Sequence, residues 1–266
     1  MTTGENSKPS MSSGGVVMVG RHVYGAASMV LGILGFATAD FANYWHPVPE
    51  GIAYRRGLAY AAAALMFAAG AGLQWRKTTR AALLLSASVY TPFALLWLRR
   101  VIGLPHLSGT WSGFAEQLAP VIAALFAYSR LAGTNARWSP KAAAACRAAF
   151  GLCVVGLGLA HFFALAITAS LVPKWIPPGP HFWAAATGVA LVLAGVSIAI
   201  DVQSARAARL LTVLLLVFGA FVWAPRLFSH PHRPVAWGGF AITMLVCGAA
   251  WMVADRLDGA PARDGA

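Results

Sequence analysis

Arg100, His106 and Trp111 recur 126 residues further on as Arg226, His232 and Trp237. An arginine offers a planar fork of donors that fits a carboxylate or phosphate. A histidine can bind metal or pass protons near neutral pH. A tryptophan offers a broad face to an aromatic ring. Each set could hold a quinone head or an anionic lipid, and quinone is the one cofactor these residues suggest. The same residue types also suit a membrane boundary, where Arg reaches toward head groups, Trp anchors, and Pro-His makes a turn.

Four other features could carry chemistry. His161 falls near the middle of an apolar run, a depth at which an ionisable side chain is expensive and turns to the bundle interior. It could contact a ligand or handle a proton, or it could be a neutral imidazole bonded to a neighbouring helix through Thr187 or Thr212. Asp40 and Glu116 fall near the ends of two further runs. Each would cost about 2.5–3.5 kcal/mol as a charge at the bilayer centre and much less at its boundary. They could pair with basic groups of the other half around an outward-facing polar pocket, or stay solvated, in pairs worth about 0–1 kcal/mol. His230-Pro231-His232 supplies two imidazoles, far short of a tetrahedral set, so no metal site is expected. No Walker loop, GxSxG, HExxH, CxxCH or dinucleotide fingerprint occurs.

The elements that must position these residues are helices in lipid. The chain has 266 residues, 59% of them hydrophobic and 11% charged, and a mean hydropathy of +0.67. A soluble domain carries about a quarter charged residues. Apolar runs near the 20 residues a spanning helix needs occupy 23–42, 57–75, 81–98, 113–131, 148–171, 183–201, 210–228 and 237–255. None alternates like a strand, so the expected fold is an all-α bundle of eight transmembrane helices. Glycine pairs such as Gly156 and Gly158 lie inside these runs, where small residues let helices approach.

The net charge of +12 does not mark a nucleic-acid binder. The basic residues sit in short clusters between apolar runs, with no basic face or reading motif. Thirteen of the twenty Lys and Arg fall on one side of the expected topology and seven on the other, which places both termini in the cytoplasm. Five of the seven histidines, His46, His106, His181, His230 and His232, fall in outer loops. Cys146, Cys153 and Cys247 form no CxxC and read as small packing groups. Residues 1–20 lack the basic start and apolar run of a signal peptide. They read as a disordered tail, as do 257–266.

The 126-residue offset extends beyond the first match. Trp97, Pro105, Gly113 and Phe114 fall on Trp223, Pro231, Gly239 and Phe240. Arg80, Ala82, Leu84 and Leu85 fall on Arg206, Ala208, Leu210 and Leu211. Two four-helix units, 21–131 and 147–256, joined by a linker at 132–146, would then face the same way as parallel repeats.

Residues 155–195 carry a Gly-rich helix, the pair His161-Phe162, the turn Pro173-Lys174-Trp175-Ile176-Pro177, and Trp183 ahead of Thr187-Gly188. They resemble the first two helices of the DoxX-like membrane proteins. The first unit is a looser match, keeping Trp45-His46-Pro47-Val48-Pro49 without the His-Phe pair. The resemblance implies a bacterial cytoplasmic-membrane protein linked to redox chemistry. Three functions follow as expectations. The first is a non-catalytic subunit or scaffold of a membrane redox or envelope complex. The second is a quinone-linked oxidoreductase subunit. The third is a small-solute transporter, which parallel repeats suit but spans with few buried charges do not. The expected partners are the lipid bilayer and a membrane redox partner or a second copy.

Overall fold

A computed structural model describes residues 18–42, 44–131 and 139–258. The expected tails fall almost wholly outside these residues. Among the described residues every regular element is a helix. These are α1 (Gly20–Thr38), α2 (Arg55–Gly72), α3 (Thr79–Gly103), α4 (Ser108–Leu131), α5 (Pro140–Phe163), α6 (Leu165–Leu171), α7 (Pro180–Ile200), α8 (Ser204–Phe218), α9 (Ala224–Ser229) and α10 (Pro234–Asp258). A π turn, Gly219–Trp223, joins α8 to α9.

Five helical stretches are long and apolar enough to cross a membrane: α3, α5, α7, the α8–α9 rod and α10. That defines an all-helical protein of the multi-pass membrane class. The other three expected spans, α1, α2 and α4, fall short of that hydropathy. Their apolar content is largely Ala and Gly, diluted by Arg21, His22 and Ser28 in α1, Arg55 and Arg56 in α2, and Glu116 and Gln117 in α4. Ile33, Phe67, Leu95, Leu152, Phe163 and Leu193 are exposed on helix flanks, where lipid solvates them at no cost.

Two expected spans are not continuous α-helix. The run 148–171 breaks at Ala164 (φ −121°, ψ 39°), separating α5 from α6. The run 210–228 widens into the π turn just ahead of Pro225. Proline has no N–H to donate and its ring crowds the carbonyl four residues back, and a wider turn relieves both. The expected linker at 132–146 falls partly outside the described residues and partly within α5. Residues 132–138 lie outside the described residues, and α5 begins at Pro140, where Ser139 accepts from the Ala142 N–H at 3.1 Å. Ser followed by Pro is a strong helix start.

Close backbone approach sets the bundle. A Cβ on Gly25 of α1 would lie 2.6 Å from the Gly70 carbonyl of α2. A Cβ on Gly151 of α5 would lie 2.5 Å from the Gly195 carbonyl of α7. The two contacts are the same, 126 and 125 residues apart. α3 packs on α4, and α8 on α10. The last helix of each half then packs on the first of the other, α4 on α5 and α10 on α1, while α4 and α10 meet. α10 is accordingly buried along most of its length.

Both ends of the described chain share one end of the bundle. The Gly20 N–H donates to the Asp255 carboxylate at 3.1 Å, and Arg130 donates to the Asp255 carbonyl at 2.9 Å.

Candidate functional site

The Arg–His–Trp sets sit on two turns of matching geometry. Leu104 and His230, each just past a helix end, have φ and ψ of −138°, 60° and −139°, 61°. Their N–H groups donate to the Arg100 and Arg226 carbonyls at 2.8 and 2.9 Å. The Trp111 indole N–H donates to the Pro105 carbonyl at 2.9 Å, and Trp237 does the same to Pro231 at 2.9 Å. Arg100 lies over the Trp97 ring at 5.1 Å and Arg226 over Trp223 at 5.8 Å. In both halves a glycine of the following helix, Gly113 or Gly239, presses on that Trp ring.

These contacts use the groups a ligand would need. Each indole N–H closes its own turn. Arg226 donates to the Leu171 carbonyl at 3.2 Å, the end of α6, and also to the Val222 carbonyl in the π turn. Helix ends and widened turns leave carbonyls without an N–H partner, and a guanidinium satisfies them. Arg147 does the same for Ile198 and Ala199 at the end of α7. His106 and His232 are exposed. A shallow cleft of about 300 Å³ beside Arg226 is lined by Leu171, Lys174, Phe221 and His230. It includes neither His232 nor Trp237.

The remaining candidates stay apart. His161 is two residues from the end of α5. Its Nδ1 donates to the Leu157 carbonyl of its own helix at 2.9 Å, and its ring stacks near Phe218 with centroids 6.1 Å apart. The anticipated bond to Thr187 or Thr212 is not formed, because each hydroxyl bonds the carbonyl four residues back, at 2.7 and 2.8 Å. Asp40 pairs with Arg55 of its own half at 2.8 Å. Glu116 is partly buried on α4 and forms no ion pair among the described residues. The anticipated pairing across the halves therefore does not occur at these acids. Among the described residues no group of three His, Cys, Asp or Glu could hold a metal ion.

Sequence reasoning passed over a different pair. His46, in the loop between α1 and α2, is only 3% exposed, and its ring stacks on Phe93 with centroids 4.0 Å apart. Burial pushes its pKa down to about 3. Trp97 donates from its indole to the Trp45 carbonyl at 2.8 Å and pins this loop onto the bundle. Gln117 of α4 is wholly buried. Neither the His46 Nε2 nor either atom of the Gln117 amide has a hydrogen-bond partner among the described residues. The available signal was Gln117 itself, a polar residue inside an apolar run, less conspicuous than the acid beside it.

No family model, curated protein or solved structure matches the chain.

Proposed function

We propose that this chain is a non-catalytic membrane subunit, a DoxX-like scaffold of eight crossings built as two parallel four-helix units, with both termini in the cytoplasm. The supporting observation is the use of its most reactive-looking residues. In both halves the Trp indole closes its own turn at 2.9 Å, and the Arg lies over a second Trp. Arg226 is further occupied by two carbonyls. A quinone-linked reading would need these same donors free. The matched Gly25–Gly70 and Gly151–Gly195 contacts, and the packing of each half's last helix on the other's first, favour duplication about an axis along the membrane normal.

The test is purification of the tagged chain from its own membranes in mild detergent. A scaffold recovers membrane proteins at fixed stoichiometry and retains them in Arg226→Ala variants that remain folded. A chain that elutes alone and turns over quinol, with turnover lost in Arg226→Ala, would defeat the reading. Reporter tags at the two ends must also fall on the same, cytoplasmic, side.

A further inference from the structure

One end of the second half carries cations without acids. No Asp or Glu occurs between Glu116 and Asp201 or between Asp201 and Asp255. α7 begins just after the 172–179 loop and α10 just after α9, so Asp201 and Asp255 stand at the far ends of their helices. Asp201 pairs there with Arg147 at 3.5 Å. Lys174, Arg226 and Arg233, at the loop end, form no ion pair among the described residues.

Two of these cations line one cleft. α6 ends at Leu171, and the chain turns away through Val172 (φ −76°, ψ 134°). The π turn widens the rod beside it, and Arg226 ties the two together through the Leu171 carbonyl at 3.2 Å. The opening of about 300 Å³ between them is lined by Lys174, Arg226 and His230 together with Leu171, Val172 and Phe221. Trp175 lies against Phe221 with centroids 6.2 Å apart. Both Arg226 bonds leave from Nη1. Its Nε and Nη2, the Lys174 ammonium and the His230 ring make no hydrogen bond among the described residues. The first half is built differently. Pro49 falls on Pro173, which sets Glu50 against Lys174, and Leu104 falls on His230. α3 also runs without the π turn. The cationic cleft is therefore particular to the second half.

We propose that this cleft binds an anionic phospholipid, its phosphate held among Lys174, Arg226 and His230 and an acyl chain laid along Ile167 and Val217. A guanidinium edge fits phosphate oxygens, an ammonium adds a compact charge, and an imidazole N–H adds a donor. Basic pockets between membrane helices recognise lipid head groups in this way. Ile167 stands one turn before Leu171 on α6, and Val217 one turn before Phe221 on the rod. They are 69% and 43% exposed, so an apolar strip leads from the cleft along the spans. A free anion would leave that strip unused, and a zwitterionic head group would bring its own cation against Lys174. The site rests on the membrane class of the chain, not on the scaffold reading, and stands if that reading fails.

The test titrates delipidated full-length protein in mild detergent with dioleoyl phosphatidylglycerol and with dioleoyl phosphatidylcholine, counting bound lipid by native mass spectrometry. Phosphatidylglycerol should bind saturably and about fivefold or more tighter than phosphatidylcholine. Lys174→Gln should weaken it about fivefold, the effect of one cation near a membrane surface, and adding His230→Gln should weaken it further. Lys141→Gln, at the start of α5, makes the same change in net charge and should leave binding unchanged. In wild-type protein, inorganic phosphate at the lipid's own concentration should not displace it. Equal affinity for the two lipids, displacement by phosphate, no saturable binding, or equal losses in Lys174→Gln and Lys141→Gln would each overturn the proposal.

Discussion

Acid should loosen this protein through the His46 imidazole. The His46 ring is buried against Phe93 and pinned with its loop by Trp97. Burial holds its folded pKa near 3, whereas an unfolded histidine titrates near 6.5. Above pH 6.5 the ring is neutral in both states and pH has no leverage through it. Below pH 6.5 the unfolded chain takes up a proton that the folded chain refuses, so stability falls with pH until the folded ring itself titrates. At about 1.36 kcal/mol per pH unit, lowering the pH from 7.5 to 5.0 removes about 2 kcal/mol, set by the 1.5 units below 6.5. Any folded value below about 4 gives the same loss at pH 5. In a chain of this size that is a Tm drop of roughly 4–8 °C. The assay is thermal unfolding in detergent at pH 7.5 and 5.0, wild type against His46→Gln. The variant should lose about 2 kcal/mol less than wild type between the two pH values. A variant with the same pH sensitivity as wild type would refute the placement of His46.

Three further outcomes follow. Gly151→Val and Gly25→Val should each destabilise by about 2 kcal/mol or more, since the new side chain meets a backbone carbonyl within 2.6 Å. Gly57→Val, with nothing within 4 Å, should be close to neutral, and denaturant midpoints compare the three. Arg226→Ala should cost more than Arg100→Ala, because Arg226 holds the Leu171 and Val222 carbonyls as well as a Trp face. A difference of about 1–2 kcal/mol is expected in the same assay. Trp111→Phe and Trp237→Phe each lose one indole bond of 2.9 Å. Each should cost about 0.5–1.5 kcal/mol and the two should match, whereas a large loss in only one would separate the turns.

The helices were legible because their signal is simple. An apolar run flanked by Arg or Trp reads directly as a rod, and the eight runs correspond to α1, α2, α3, α4, α5–α6, α7, α8–α9 and α10. The two breaks were not legible as breaks. At Ala164 nothing in the sequence contradicts a helix, and Pro225 could have kinked the rod without widening it. Contacts spaced 126 residues apart were visible at Trp97 and Trp223, where unusual residues align. At Gly25 and Gly151 a common residue in a Gly-rich chain carries little pattern, although its packing is the more demanding of the two.

The candidate site was harder for a physical reason. Charge marks a residue in an apolar run, so Arg226 and Glu116 attract notice. Yet a guanidinium with five donors is easily occupied by backbone, and Arg226, Arg147 and Arg130 are all occupied in that way at helix ends. A neutral polar side chain lowers the hydropathy of its run, as Gln117 does in α4, but it carries no charge to single it out. Once it is buried without a partner among the described residues, as Gln117 is, it has fewer ways to be satisfied than any surface arginine.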